Sequence, residues 1–287
     1  FANRGYSKIS LKDFNGAIED FNKAIELNPD DVFAYNNRGY SKQSLEDFNG
    51  AIKDFNKAIE LDPENDYAYA NRGYAKQSLE DINGAIEDFN KAIELDPENA
   101  YAYASRGKAK KSVDNFKGSM NDLNKAIELD PESLFGYSTR GDLKQFQKDY
   151  FGAIYDFTRV IEIDPEDAYA YASRGKAKDY LGKYFDAIYD FTRAIEIDPK
   201  NSDYYNKRCL SKFKMEKYKS ALRDCDIALS INSKNEIAYD SRGDVKLALG
   251  DKQGACSDYK SAITNGYKQR EKYLSSKEGG WCKNMPN

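Results

Sequence analysis

The 287-residue sequence has no histidine. That absence removes the commonest general acid and base, and the commonest metal ligand, together. No run of 18 or more apolar residues occurs, so no segment reads as a membrane-spanning helix. An excess of positive charge is also missing: 44 Lys and Arg stand against 48 Asp and Glu, a net charge of −4, with a pI near 5.3. Such a balance disfavours a nucleic-acid binder that works by neutralising phosphates. There is no phosphate-cradling glycine loop, no HExxH and no nucleophile-and-base pair. Carboxylate neighbours such as Glu80-Asp81 read as helix-start residues, where the helix dipole favours negative charge. No catalytic residue, cofactor or metal is therefore expected.

Cysteine is scarce, with four residues at Cys209, Cys225, Cys256 and Cys282, none at the close spacing of a zinc or redox motif. They are expected to be small core residues plus one tail thiol, with a Cys209–Cys225 bond left open. No targeting segment is present, so the compartment is open, with the cytoplasm as the default. The chain starts at Phe1 rather than Met. Phe1 falls inside a structural unit, and the sequence is expected to be a fragment or to lack a processed segment. What is abundant is aromatic: 23 Tyr and 15 Phe beside one Trp, with 40% hydrophobic residues overall. That is too apolar for a disordered chain.

Those aromatics are periodic. Arg-Gly occurs at 4–5, 38–39, 72–73, 106–107, 140–141, 174–175 and 242–243, and Arg208-Cys209 fills the missing place. Every step is 34 residues, and Pro29, Pro63, Pro97, Pro131, Pro165 and Pro199 keep the same interval. Eight units result: 1–31, 32–65, 66–99, 100–133, 134–167, 168–201, 202–235 and 236–269. In the third, Tyr69, Gly73 and Leu79 lie on a first amphipathic stretch. Ile82, Ala85, Ile86, Phe89, Ala92 and Ile93 form an i, i+3, i+4, i+7 stripe on a second. Pro97 cannot continue a helix interior and marks the connector. A helix–turn–helix unit is the reading. Residues 270–287 remain as a capping helix and tail, irregular from 277 through Gly279-Gly280 and Pro286.

The series Tyr69, Gly73, Ala85, Phe89, Ala92 and Pro97, at a 34-residue period, resembles the tetratricopeptide repeat (TPR) family, in a bacterial style of wording. The resemblance implies an all-α, right-handed superhelical solenoid of stacked antiparallel helix pairs, of about one superhelical turn, with an inner groove lined by the first helices. Repeat seven departs from the pattern with Cys209 for Gly and Cys225 for the aromatic. Repeat eight departs with Cys256, Tyr259 and Asn265. These two repeats are expected to fray first.

Arg fills one slot in all eight units, where the family pattern usually has an apolar residue, and Asp recurs on each second helix. A charge at such a site needs a partner. We expect a structural ladder that includes Arg38, Asp54, Arg72, Asp88, Arg106 and Asp122, with pairing within or between units left open. The family's groove geometry places Phe33, Tyr67 and Tyr101 at the second position of the first helix, followed by Phe135 and Tyr169. Asn37 and Asn71 fall at the sixth position and Tyr40 and Tyr74 at the ninth, with Gln43, Gln77, Lys108 and Lys111 nearby. These residues suit an extended peptide: rings supply contact area and amides hydrogen bonds. Inter-repeat packing is the competing role for the second-position rings. The slots with which chaperone-binding TPR modules clamp a terminal carboxylate hold Ala70, Tyr74, Tyr101 and Ser105 here, and only Asn71 resembles that pattern. That function is not carried over. The expectation is a non-catalytic scaffold for a protein or peptide partner, with its oligomeric state open. The alternatives are an accessory region of a larger enzyme or assembly factor and, disfavoured by the acidic total, an RNA-reading helical repeat.

Overall fold

A computed structural model describes residues 1–276 and 279–282; the expected irregular run around Pro286 lies in part outside the described residues. It is all-α, with no strand among the described residues. The chain forms two compact units, Phe1–Leu143 and Lys144–Asn287. The first holds α1 (Ala2–Ser10), α2 (Phe14–Leu27), α3 (Val32–Ser44), α4 (Phe48–Leu61), α5 (Asp66–Ser78), α6 (Ile82–Leu95), α7 (Ala100–Ser112) and α8 (Phe116–Leu129). Helix α9 (Leu134–Phe146) carries the boundary. The second holds α10 (Tyr150–Ile163), α11 (Ala168–Tyr180), α12 (Tyr184–Ile197), α13 (Ser202–Lys214), α14 (Tyr218–Ile231), α15 (Glu236–Ala248), α16 (Lys252–Thr264) and α17 (Lys268–Leu274), then a 3-10 turn Gly280–Cys282. No described helix is long and apolar enough to cross a membrane.

The turns repeat as faithfully as the helices. Asp13, Asp47, Asp81, Asp149 and Asp251 each accept a hydrogen bond from the backbone N–H three residues on, capping the second helix of a pair. The residue before each cap is in the left-handed region: Glu46 at φ 64°, Glu80 at 65°, with Gly182 and Gly250 in the same slot. Packing within a pair hinges on a residue without a side chain. A Cβ on Gly73 would lie 2.8 Å from the Phe89 ring, and one on Gly39 2.8 Å from Phe55. Glycine therefore lets the helices close until the ring fills the gap between them.

The cysteines overturn the expectation of core thiols plus one free tail thiol. Cys209 is bonded to Cys225 and Cys256 to Cys282, leaving no free cysteine. Cys209 and Cys225 occupy the slots where, as at Gly39–Phe55 and Gly73–Phe89, a glycine meets a ring, so a covalent bridge replaces that contact. The second disulfide ties the tail onto α16. Around it Trp281 and Tyr273 approach the buried Tyr259 ring edge-on. Arg270 pairs with Asp240 and Asp244 and lies 4.3 Å from the Tyr259 ring centroid. Disulfides persist in oxidising compartments, which removes the ground for the cytoplasmic default. The two repeats expected to fray first are the covalently stapled ones.

Candidate functional site

The recurrent charges form one repeated device. Arg72 on α5 donates through Nε and Nη2 to both carboxylate oxygens of Asp88 on α6, at 2.9 and 2.6 Å. Lys76, one turn on from Arg72, pairs with the same carboxylate at 2.8 Å. The remaining Arg72 nitrogen, Nη1, donates to Asn56 of the preceding repeat at 2.7 Å, and the guanidinium lies 5.3 Å from the Tyr69 ring centroid. Arg38 and Arg106 repeat this arrangement with Asp54 and Asn22, and with Asp122 and Asn90. Arg174 and Arg208 use Asp190 and Asp224, reaching back to Thr158 and Thr192. The pairing left open by sequence is thus double: the ion pair lies within a repeat, and the third hydrogen bond latches it to the repeat before. At the N-terminal end, hydrogen bonding from Arg4 holds the Asp20 carboxyl far below the usual carboxylate range, opposed by its burial.

In the first unit the first-helix faces enclose a cavity of about 550 Å³ lined by Tyr40, Gln43, Ser44, Tyr67, Ala70, Asn71, Tyr74, Asn99 and Tyr101. Six of the groove residues expected from sequence converge here: Tyr40, Gln43, Tyr67, Asn71, Tyr74 and Tyr101. Phe33, Asn37, Gln77, Lys108 and Lys111 are not among its walls. Phe33 packs on Tyr6 at a centroid distance of 5.9 Å. Lys108 sits 5.7 Å from the Phe135 ring, which in turn meets Tyr101. Phe33 on Tyr6 and Tyr101 on Phe135 pack between repeats, while Tyr67 and Tyr101 each remain 41% exposed.

The lining is uncharged. Burial pushes the Tyr101 phenol up to about 12 and raises Tyr67 further, so both remain protonated hydrogen-bond donors at neutral pH. The asparagines are less free than the sequence suggests. Asn71 is buried and donates to the carbonyl of Tyr67 at 2.8 Å, and Asn37 does the same to Phe33. The buried Oε1 of Gln43 has no hydrogen-bond partner among the described residues. The cavity therefore offers flat rings, phenol hydroxyls and spare amide capacity without an ionised group.

Sequence reasoning missed a second cavity, in the second unit. It measures about 290 Å³ and is walled by residues of α11, α12, α13 and α15, including Lys176, Asn206, Lys207, Leu210 and Ile237. Its signal was present: Asp203, Asn206 and Lys207 stand where repeat three has Tyr67, Ala70 and Asn71. Among the described residues no group of three or more Cys, Asp or Glu side chains is arranged to hold a metal.

Stacked helix pairs, latched repeat to repeat and hollowed along the first helices, define a helical-repeat scaffold. The chain carries tetratricopeptide repeats. Models described as tetratricopeptide repeat match residues 32–65, 67–99 and 100–133, and one described as TPR repeat matches 5–45. Among solved structures, the chain resembles YrrB, described as a TPR protein with an unusual peptide-binding site, at 24% identity and TM-score 0.55 over 64% of this chain and 95% of that one. It resembles a tetratricopeptide repeat protein from Parabacteroides merdae at 21% identity and TM-score 0.62, over 93% and 100% of the two chains. MamA is similar at 28% identity and TM-score 0.50, over 60% of this chain and 94% of that one. No curated protein matches the sequence.

Proposed function

We propose that the chain is a non-catalytic scaffold that holds an extended segment of a partner protein in the groove of its first unit, in the assembly of a larger complex. The observation that carries this reading is the convergence of Tyr40, Tyr67, Tyr74, Tyr101, Gln43 and Asn71 on one uncharged cavity. Rings held by inter-repeat packing give contact area at little entropic cost. Neutral phenols and amides match the alternating donors and acceptors of a peptide backbone. Lys108 and Lys111 stand outside that cavity, so backbone and apolar contacts, rather than acidic side chains, set the preference there.

The asparagines are poor probes, because their amides are buried and bonded to their own helix. The two ninth-position tyrosines are better ones. Peptides selected from a random displayed library against the whole chain should lose about 10-fold or more in affinity to a Tyr40→Ala/Tyr74→Ala variant, about 1.4 kcal/mol or more. Unchanged affinity in a variant with wild-type circular dichroism, or a library that yields no binder, would refute the groove reading.

A further inference from the structure

We propose that the exposed face of α10 and α12, in the second unit, is the contact through which two copies of this chain pair. Three observations lead there, all on second helices and their turns rather than on the first-helix groove.

The first is a departure from the repeat. Phe151 and Tyr155 on α10, and Phe185 and Tyr189 on α12, are each 59–71% exposed. In each helix the two rings are four residues apart, hence on one face. That face lies opposite the buried stripe, which in α10 is Ala153, Asp156, Phe157 and Val160. The other six repeats fill the first slot with Asn, Lys or Gln, and the second with Glu, Lys, Asn, Arg or Ser. Packing of the helix pairs therefore does not call for these rings. Large apolar side chains gathered in water are uncommon on a monomer and mark a contact surface. The second observation is that the rings are joined and held. Tyr150, at the start of α10, stacks on Tyr180, at the end of α11, with centroids 4.9 Å apart. Lys183, just ahead of α12, sits 5.5 Å from the centroid of the Phe151 ring. These contacts tie the start of α10 to the start of α12, so the two ring pairs belong to one face. A face ordered before contact loses little entropy on making it.

The third is self-complementarity. Beyond the rings each stripe continues into an ion pair, Arg159 with Glu162 on α10 and Arg193 with Glu196 on α12. Phe, Tyr, Arg and Glu thus occupy the same slots of both helices. In a two-fold contact every residue pair occurs twice, so α10 of one copy can meet α12 of the other on equal terms on both sides of the axis. Rings then cover rings, and each Arg meets a stripe that also carries a Glu, with no charge left over. An anionic membrane or a nucleic acid calls for an excess of cations, which this balanced face lacks. The area is also sufficient. At about 200 Å² per ring, the four rings show roughly 500 Å² per copy. Two copies would bury about 1,000 Å² from the rings alone, the scale at which an interface becomes specific.

The test is the mass of the whole chain by sedimentation velocity, from about 1 to 100 µM. The wild-type chain is expected to pass from monomer to dimer and stop there, because a two-fold contact closes. Phe151→Asn/Tyr155→Glu/Phe185→Asn/Tyr189→Glu installs the residues that repeats one and three carry at these slots. It should weaken the dimer about 100-fold or more with unchanged circular dichroism. Tyr155→Glu/Tyr189→Glu is the second variant should the four-fold one fail to fold, with about 10-fold or more expected. Tyr40→Ala/Tyr74→Ala should leave the dimer intact, which separates this face from the first-unit groove. The proposal is overturned if the wild-type chain stays monomeric throughout, which would leave the face to a different protein. It is equally overturned if the chain grows into open-ended assemblies, or if folded ring variants dimerise as tightly as wild type.

Discussion

Removal of Asp88 isolates the contribution of one rung of the ladder. Asp88 is 4% exposed and faces two cations, Arg72 and Lys76, whose side chains keep 17% and 22% of their surface. Asp88→Ala leaves both cations partly buried, close together and without a carboxylate. Breaking a buried pair from one side costs about 3–5 kcal/mol. Some rehydration of the two cations through their exposed ends places the expectation near the bottom of that range, about 3 kcal/mol. Because stability in a repeat array is a sum of local terms, the loss should appear first in α5 and α6. Native-state hydrogen exchange reads it there as a drop in opening free energy. A triple variant, Arg72→Met/Lys76→Met/Asp88→Leu, removes the charges together and should recover most of the loss. It also forfeits the exposed Asn56 latch, the Arg72 contact with the Tyr69 ring and the Lys76 bond to the Gly84 carbonyl. A single variant within about 0.5 kcal/mol of wild type, or a triple variant no better than the single, would refute the idea that these charges depend on one another.

Gly73→Ala forces a Cβ to within 2.8 Å of the fully buried Phe89 ring and should cost about 1–3 kcal/mol by overpacking, checked by urea denaturation. Reduction of the disulfides should speed hydrogen exchange in α13, α14 and α17, with about 3 kcal/mol expected for the 16-residue Cys209–Cys225 loop. In the oxidised chain α1, which has no side-chain N-cap bond, should exchange before α16; identical profiles with and without reductant would contradict this. Cys209→Gly/Cys225→Phe rebuilds the glycine–ring contact of the other repeats and should make α13 and α14 insensitive to reductant. Because the folded-state pKa of Asp20 is depressed, its contribution is present above the ordinary carboxylate value of about 3.9 and fades as pH falls. Asp20→Asn should therefore flatten the acid limb of the α1–α2 stability profile, and an unchanged limb would count against the Arg4 pairing.

The 34-residue period made the helix pairs legible because a repeated packing problem has a repeated solution. Where glycine and a ring must touch, those two slots recur, and where an arginine is half-buried, an aspartate recurs on the facing helix. The same logic held more than the sequence reading drew from it. If Gly73 touches Phe89, then Cys209 and Cys225, which occupy those slots, must also touch, and two touching cysteines can bond. Cys282 carried no such information, since the tail has no period to place it against Cys256. The asparagines failed for a different reason. A groove position read from helical register says which way a Cα–Cβ bond points, but not whether the amide turns back to the carbonyl four residues earlier, as Asn37 and Asn71 do. Lys207 shows the converse. It breaks the small-polar pattern of its slot, and a break in a strict repeat marks a residue that the stacking does not require. The shared helix-pair packing fixes the positions that recur, so chemical differences between repeats arise at slots where one repeat departs from its neighbours, as repeat seven does at Asp203, Asn206 and Lys207.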